Sequence, residues 1–217
     1  MNMKFAFAAI LAVLSLNLEA RTYELLSPSG KIEVSVKCGE TGLTYSLSFD
    51  GEHQFVSTPI SMRIGDDVWG TAGDRICRVT REAVDSPVVF PVPRKYKESV
   101  ERYNSMKLVF RDYDVEFRAY DDGVAYRFVG KVDRTGKVMS EASGYRFDKD
   151  YEAYALLTKG LQCWYEEDYT VANLSELPKD RISLTPLMVT TDNARILFSE
   201  SDLHNYSGSY LKTVDGG

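Results

Sequence analysis

Period-two alternation is the feature that most constrains this chain. Ile32, Val34 and Val36 alternate with Glu33, Ser35 and Lys37, so one face is apolar and the other polar, as in a half-buried strand. Residues 39–42 are turn material, and Leu43, Tyr45, Leu47 and Phe49 form the next apolar face. Asp50-Gly51 signals a hairpin into Phe55 and Val56, and residues 59–64 read as a further short strand. Further on, Met106, Leu108 and Phe110 share one face, and Val115, Phe117 and Ala119 share another. Asp121-Asp122-Gly123 closes a hairpin into residues 124–128, and later strands are expected at 145–147, 153–157, 187–189 and 196–198.

The middle of the chain breaks this rhythm. Pro87, Pro91 and Pro93 stand close together, so the segment is extended and excluded from a central strand. Residues 95–102 are densely charged and read as a solvated loop or short helix. Nowhere does a helical stripe persist for more than about two turns, and no repeat of 20–50 residues is visible. Many short strands between turns predict an all-β fold, an antiparallel β-sandwich. The 14 tyrosines and 10 phenylalanines suit it, because rings fill the space between sheets and form cross-strand pairs.

The first residues read as an export signal. Lys4 precedes an uncharged apolar run over residues 5–16, and Ala20 ends a plausible cleavage site. The run is shorter than the roughly 20 residues that span a bilayer, so residues 1–20 are expected to be a cleaved leader. Nothing later is apolar for long enough to span a membrane. The formal charge of −6, without a basic stripe, argues against nucleic acid, whose phosphates call for clustered Lys and Arg. The 3 cysteines, Cys38, Cys77 and Cys163, fit either one bridge plus a free thiol or three buried thiols. With no C-x-x-C and only 2 histidines, a zinc site is not expected.

Among 32 Asp and Glu residues, spacing alone selects no catalytic pair. The densest acidic cluster is Trp164-Tyr165-Glu166-Glu167-Asp168-Tyr169. It reads either as a sugar site, with rings for pyranose faces, or as a solvated acidic loop beside two core aromatics. Glu200 reads, from its neighbours alone, as part of a cap in which Ser199 or Ser201 with Asp202 starts a short helical turn. Trp69 and Trp164 read as core residues or as stacking platforms. No G-x-S-x-G elbow supports a Ser-His-Asp triad.

Several segments resemble a known family when taken in order. They are residues 26–31 (LSPSGK), Tyr103-Asn104, residues 117–128 (FRAYDDGVAYRF), residues 165–169 (YEEDY), and residues 198–203 (FSESDL) with Tyr206. Together they resemble the N-terminal domain of glycoside hydrolase family 97, over nearly all of the chain beyond residue 20. The resemblance implies a β-sandwich of the galactose-mutarotase type over residues 21–217, incomplete at its C-terminal end. In the intact enzyme that sandwich would pack on a catalytic (β/α)8 barrel, for which this chain has no βα alternation. The implied activity is that of a periplasmic exo-acting α-glucosidase or α-galactosidase on α-linked oligosaccharides, and the isolated domain is expected to be inactive.

The resemblance further implies that Glu166 is a calcium ligand shared with barrel residues. Calcium takes six to eight oxygens, so one glutamate cannot hold it alone. Glu200, Glu167 and Trp164 are the expected substrate-binding or domain-junction residues. A stand-alone sugar-binding β-sandwich without hydrolase activity is the competing function.

Overall fold

A computed structural model describes residues 21–92, 95–131 and 136–214. The expected leader over residues 1–20, Pro93 and the last three residues lie outside the described residues. In chain order the strands are β1 (Thr22–Leu26), β2 (Ile32–Gly39), β3 (Gly42–Phe49), β4 (Glu52–Ser57), β5 (Ser61–Ile64), β6 (Asp67–Trp69), β7 (Arg78–Val89), β8 (Glu98–Val109) and β9 (Tyr113–Ala119). They continue with β10 (Val124–Gly130), β11 (Val138–Ala142), β12 (Tyr145–Arg146), β13 (Glu152–Thr158), β14 (Thr170–Asn173), β15 (Ile182–Thr190), β16 (Arg195–Phe198) and β17 (Tyr210–Leu211). One 3-10 turn, Leu174–Glu176, interrupts them. No helix among the described residues is long and apolar enough to cross a membrane.

The strands form four antiparallel sheets. The first has the order β1-β2-β3-β4-β12, the second β10-β9-β8-β7, and the third β11-β5-β6. The fourth runs β14-β13-β15-β16, with β17 also on β15. The alternation in β2 and β9 is realised as expected: Val34 and Val36 of the first sheet, and Val115, Phe117 and Ala119 of the second, are fully buried. The two sheets meet face to face, with the Tyr45 and Phe117 rings 5.5 Å apart and edge-on. The first sheet meets the fourth through Phe55, 5.6 Å from the Phe198 ring, and Phe198 in turn lies 4.2 Å from Tyr145. Thr191 Oγ1 donates to Gln54 Oε1 at 2.7 Å, and Gln54 Nε2 donates to Asn193 Oδ1 at 2.9 Å. These bonds satisfy a buried amide at that seam.

Local chemistry fixes the turns. Asp50 and Gly51 have φ of +49° and +81°, the pair of positive values that a two-residue hairpin of the right twist requires. Gly70, at φ +83°, lies so close to β5 that a Cβ there would stand 2.3 Å from the Ile60 carbonyl oxygen. Asp121 of the β9–β10 turn accepts the Ser29 amide at 2.7 Å. Two of the segments that carry the family resemblance are thus one structural tie between the first and second sheets.

Two expectations are corrected, for residues 98–102 and for the cysteines, and the one for Pro87 is met. Residues 98–102 are not loop or helix but the start of β8, paired with β7 from Val89↔Glu98 to Asp85↔Arg102. Their charge marks exposure, not absence of backbone pairing. Pro87 lies in β7, the outer strand of its sheet, where a missing N–H is tolerated. All three cysteines are unpaired, and Cys77 is exposed rather than buried. Burial, then the nearby Asp74 charge, pushes the Cys38 thiol pKa up.

Candidate functional site

The acidic–aromatic cluster lies where β13 and β14 part. β13 keeps pairing with β15 as far as Thr158↔Ile182, whereas β14 begins only at Thr170, opposite Ala155. The intervening chain therefore leaves the end of the fourth sheet as a loop. Its base is fastened at Gly160, whose carbonyl accepts Thr158 Oγ1 at 3.2 Å and Cys163 Sγ at 3.3 Å. Tyr165 braces the middle by donating to the Leu161 carbonyl, and its hydroxyl lies 3.5 Å from that of Tyr210. That contact with Tyr210, then burial, pushes the Tyr165 hydroxyl pKa up to about 12.

Held in this way, the loop presents its other side chains outward. Trp164 is 89 % exposed, and Leu161 and Tyr169 are also exposed. The expectation of core aromatics beside the cluster is corrected: Trp69 is core at 7 % exposure, stacked on Tyr113, while Trp164 is not. The difference is local. Trp69 lies on a strand against the second sheet, whereas Trp164 follows the point where pairing ceases. Glu166, Glu167 and Asp168 are exposed, and none of the three carboxylates has a hydrogen-bond or ion-pair partner among the described residues.

Glu200 belongs to a second loop over the same sheet. β15 carries β16 along Leu187–Thr190 and β17 along Ser183–Leu184, with the cis Thr185–Pro186 peptide between them. The chain from 199 to 209 spans that gap. Glu200 closes it by accepting the Ser209 amide at 2.7 and 2.9 Å, and Thr185 Oγ1 lies 3.5 Å from Oε1. The expected helical turn at Ser199–Asp202 does not form; Asp202 takes φ +60°, and the capping carboxylate is Glu200 itself. Tyr206 anchors the loop's far side, donating to Glu141 Oε2 of β11 at 2.7 Å. Burial, then that bond, pushes the Tyr206 hydroxyl pKa up.

The two loops meet, because Ser209 and Tyr210 are consecutive: one is held by Glu200 and the other faces Tyr165. The structure therefore brings Trp164, Glu166, Glu167 and Glu200 to one region of the fourth sheet. It does not gather their carboxylates into a cage. No group of three or more His, Cys, Asp or Glu among the described residues could hold a metal ion. Sequence reasoning missed Tyr210, Glu141 and Thr185, for which no periodicity or motif gave a signal.

The remaining resemblance segment, Tyr103-Asn104, has a structural use. Asn104 Nδ2 donates to the Leu26 carbonyl of β1 at 2.8 Å, and the Tyr103 ring carries the Arg118 guanidinium 4.6 Å from its centroid. A family model described as glycosyl-hydrolase 97 N-terminal matches residues 25–217. The chain belongs to glycoside hydrolase family 97.

Within that family it is 33% identical over 226 residues to a retaining alpha-galactosidase of Bacteroides thetaiotaomicron, an alignment covering 98% of this chain and 34% of that protein. This family 97 chain thus spans about a third of its curated relative. A family 97 enzyme from Pseudoalteromonas sp. strain K8, solved with acarbose, superposes with a TM-score of 0.77 at 19% identity, over 90% of this chain and 31% of that one. A beta-arabinopyranosidase superposes equally well, TM-score 0.77 at 21% identity, over 89% of this chain and 34% of the other. The structural likenesses establish the family 97 N-terminal fold and no more.

Proposed function

We propose that this chain is the N-terminal domain of a periplasmic exo-acting α-glycosidase, an α-galactosidase or α-glucosidase, that packs against a catalytic barrel and lends Glu166 to a calcium ion in its active site. The observation that carries this reading is the pair of loops around Tyr165 and Tyr210. They offer carboxylates without partners beside exposed aromatics over one region of the fourth sheet. The 33% identity to a retaining alpha-galactosidase supplies the reaction class.

Glu166 fits the part of one calcium donor. A carboxylate oxygen is the ligand type calcium prefers, and this one is exposed and unengaged. The cage itself would come from residues of the following domain, and calcium there would stabilise charge developing on the substrate. Glu167, Trp164 and Glu200 would line the junction. Glu200 would act by fixing its loop, since its oxygens are already committed to Ser209.

The test is to assay the full-length protein on aryl α-galactosides and α-glucosides, with and without a calcium chelator, as wild type and as Glu166→Gln. Calcium-dependent hydrolysis, weakened in the variant and partly restored by excess calcium, supports the reading. Full activity of the variant under chelation would sink the role of Glu166, and absence of hydrolysis would sink the glycosidase reading. The exposure of Trp164 favours one second reading, a sugar-binding sandwich with that ring as platform. That reading requires oligosaccharide binding, lost in Trp164→Ala, without turnover.

A further inference from the structure

A strand with one covered face alternates, and the first two sheets obey that rule. The outward residues of β2 are Glu33, Ser35 and Lys37, and those of β9 are Asp114, Glu116 and Arg118. The fourth sheet departs from it. Its strands carry unbroken apolar runs: AYALL over residues 153–157 of β13, LMV over 187–189 of β15 and ILF over 196–198 of β16. Such runs belong to strands buried on both faces, whereas a sheet with one face in water alternates.

The register separates the two faces. Ala172, Ala153, Val189 and Ile196 stand opposite one another across the four strands and pack in the core. One residue along, Val171, Tyr154, Met188 and Leu197 form a second row on the other face, and none of them belongs to the core. Val171 is 50 % and Leu197 60 % exposed. Beyond this row on one side come Asn173, Glu152, Thr190 and Arg195, a polar rim of the kind that borders interfaces. On the other side Leu156 faces Leu184, and Leu184 faces Tyr210, whose hydroxyl meets that of Tyr165. The apolar face thus runs on into the paired loops that carry Glu166.

A contiguous apolar face with a polar rim marks a surface that another body covers. The comparison with the retaining alpha-galactosidase says which. The match takes in 98% of this chain but 34% of that protein, so about two thirds of such a polypeptide lies outside this domain. A tethered domain is present at an effective concentration of about millimolar, which a free second copy does not match. We propose that the outer face of the fourth sheet, centred on Val171, Tyr154, Met188 and Leu197, is covered by the catalytic part of the same polypeptide. The proposal rests on the reading of this chain as one domain of a longer glycosidase and adds to it the face through which the two parts pack.

The test is thiol labelling of the full-length protein carrying Leu197→Cys or Val171→Cys, which lie on opposite edges of the face. A maleimide is added, and modification at each site is followed by peptide mass, natively and in urea. Val100→Cys, on the β7–β8 hairpin and 66 % exposed as valine, sets the scale for a strand residue in water. Cysteines at 197 and 171 are expected to react at least about tenfold more slowly in the native protein than in urea, because the face must open first. The protection should persist on dilution in a monomer. Two sites keep the test alive should one variant fail to fold. Native labelling at 197 and 171 as fast as in urea would overturn the proposal. Protection lost on dilution, together with a mass of two copies, would overturn it in favour of self-association. The readout is independent of turnover: a protected face without hydrolysis sinks the glycosidase reading alone, and hydrolysis with an open face sinks this proposal alone.

Discussion

Glu116 and Glu166 are both glutamates in the same domain, with opposite surroundings. Glu116 lies on the outer face of the second sheet, half-buried, with Arg127 Nη2 at 2.8 Å and Arg118 Nε at 3.2 Å. Arg118 also pairs with Glu101 at 3.5 Å and stacks on Tyr103. Every charge there is answered from within the chain. Glu166 lies on an exposed loop and is answered by nothing among the described residues. A carboxylate with a full set of local partners is spent on stability. One held in place by neighbours that touch only its loop remains available for something outside the domain.

Substitutions at four residues break or sharpen that contrast. The largest effect is expected from Glu166→Gln, in activity alone. Even changes outside a metal's own ligands cost about 10–100-fold, so on the proposed calcium role loss of this ligand should reduce kcat/KM of the full-length protein by at least about tenfold with an unchanged melting temperature. Glu116→Ala should do the reverse, losing about 1–2 kcal/mol in denaturant unfolding with kcat/KM intact.

The same residue gives a pH signature. Burial raises the Glu116 pKa, but the hydrogen bonds and charges of Arg127 and Arg118 outweigh it and leave the group below its ordinary value. A carboxyl lowered on folding contributes stability above its unfolded pKa, about 4.3, and loses it as pH falls through the folded value. The stability difference between wild type and Glu116→Gln should therefore be full above the unfolded value of about 4.3 and narrow progressively as pH falls below it. Next in size is Glu200→Ala. It frees the Ser209 amide, costs about 1 kcal/mol and speeds hydrogen exchange at that amide first. The smallest stability effect belongs to Trp164→Ala, within about 0.5 kcal/mol, because the ring leaves no cavity. A larger loss would mean that the ring packs more than its exposure suggests.

Much of the fold was legible in the sequence because half-buried strands advertise themselves. Wherever one face met the core, as in β2, β3, β8 beyond Met106, and β9, alternation marked it. It failed where that condition failed. β7 and the first residues of β8 pair with each other but face water on both sides, so their sequence carries charge where a buried strand carries Val or Leu. β14 and β11, largely exposed, were missed for the same reason. At the candidate site, composition drew attention to Trp164 and Glu166, and the family resemblance to Glu200. The contacts that join them, Tyr165 to Tyr210 and Glu200 to Ser209, depend on two loops meeting across a sheet, which local sequence does not encode.

The seam at Gln54 carries a consequence for how the molecule is made. The side chains that satisfy its amide lie 137 and 139 residues further along, and Phe198 completes a cluster on Phe55 that Tyr145 and Phe147 begin. A chain emerging from its N-terminal end can build β1 to β4 as local hairpins, yet this seam is not closed until almost the whole domain has followed. Such distant closure is slow, since the intervening chain must be ordered before the contact repays it. Any product cut short before Phe198 would leave that seam incomplete, however well its first strands had paired.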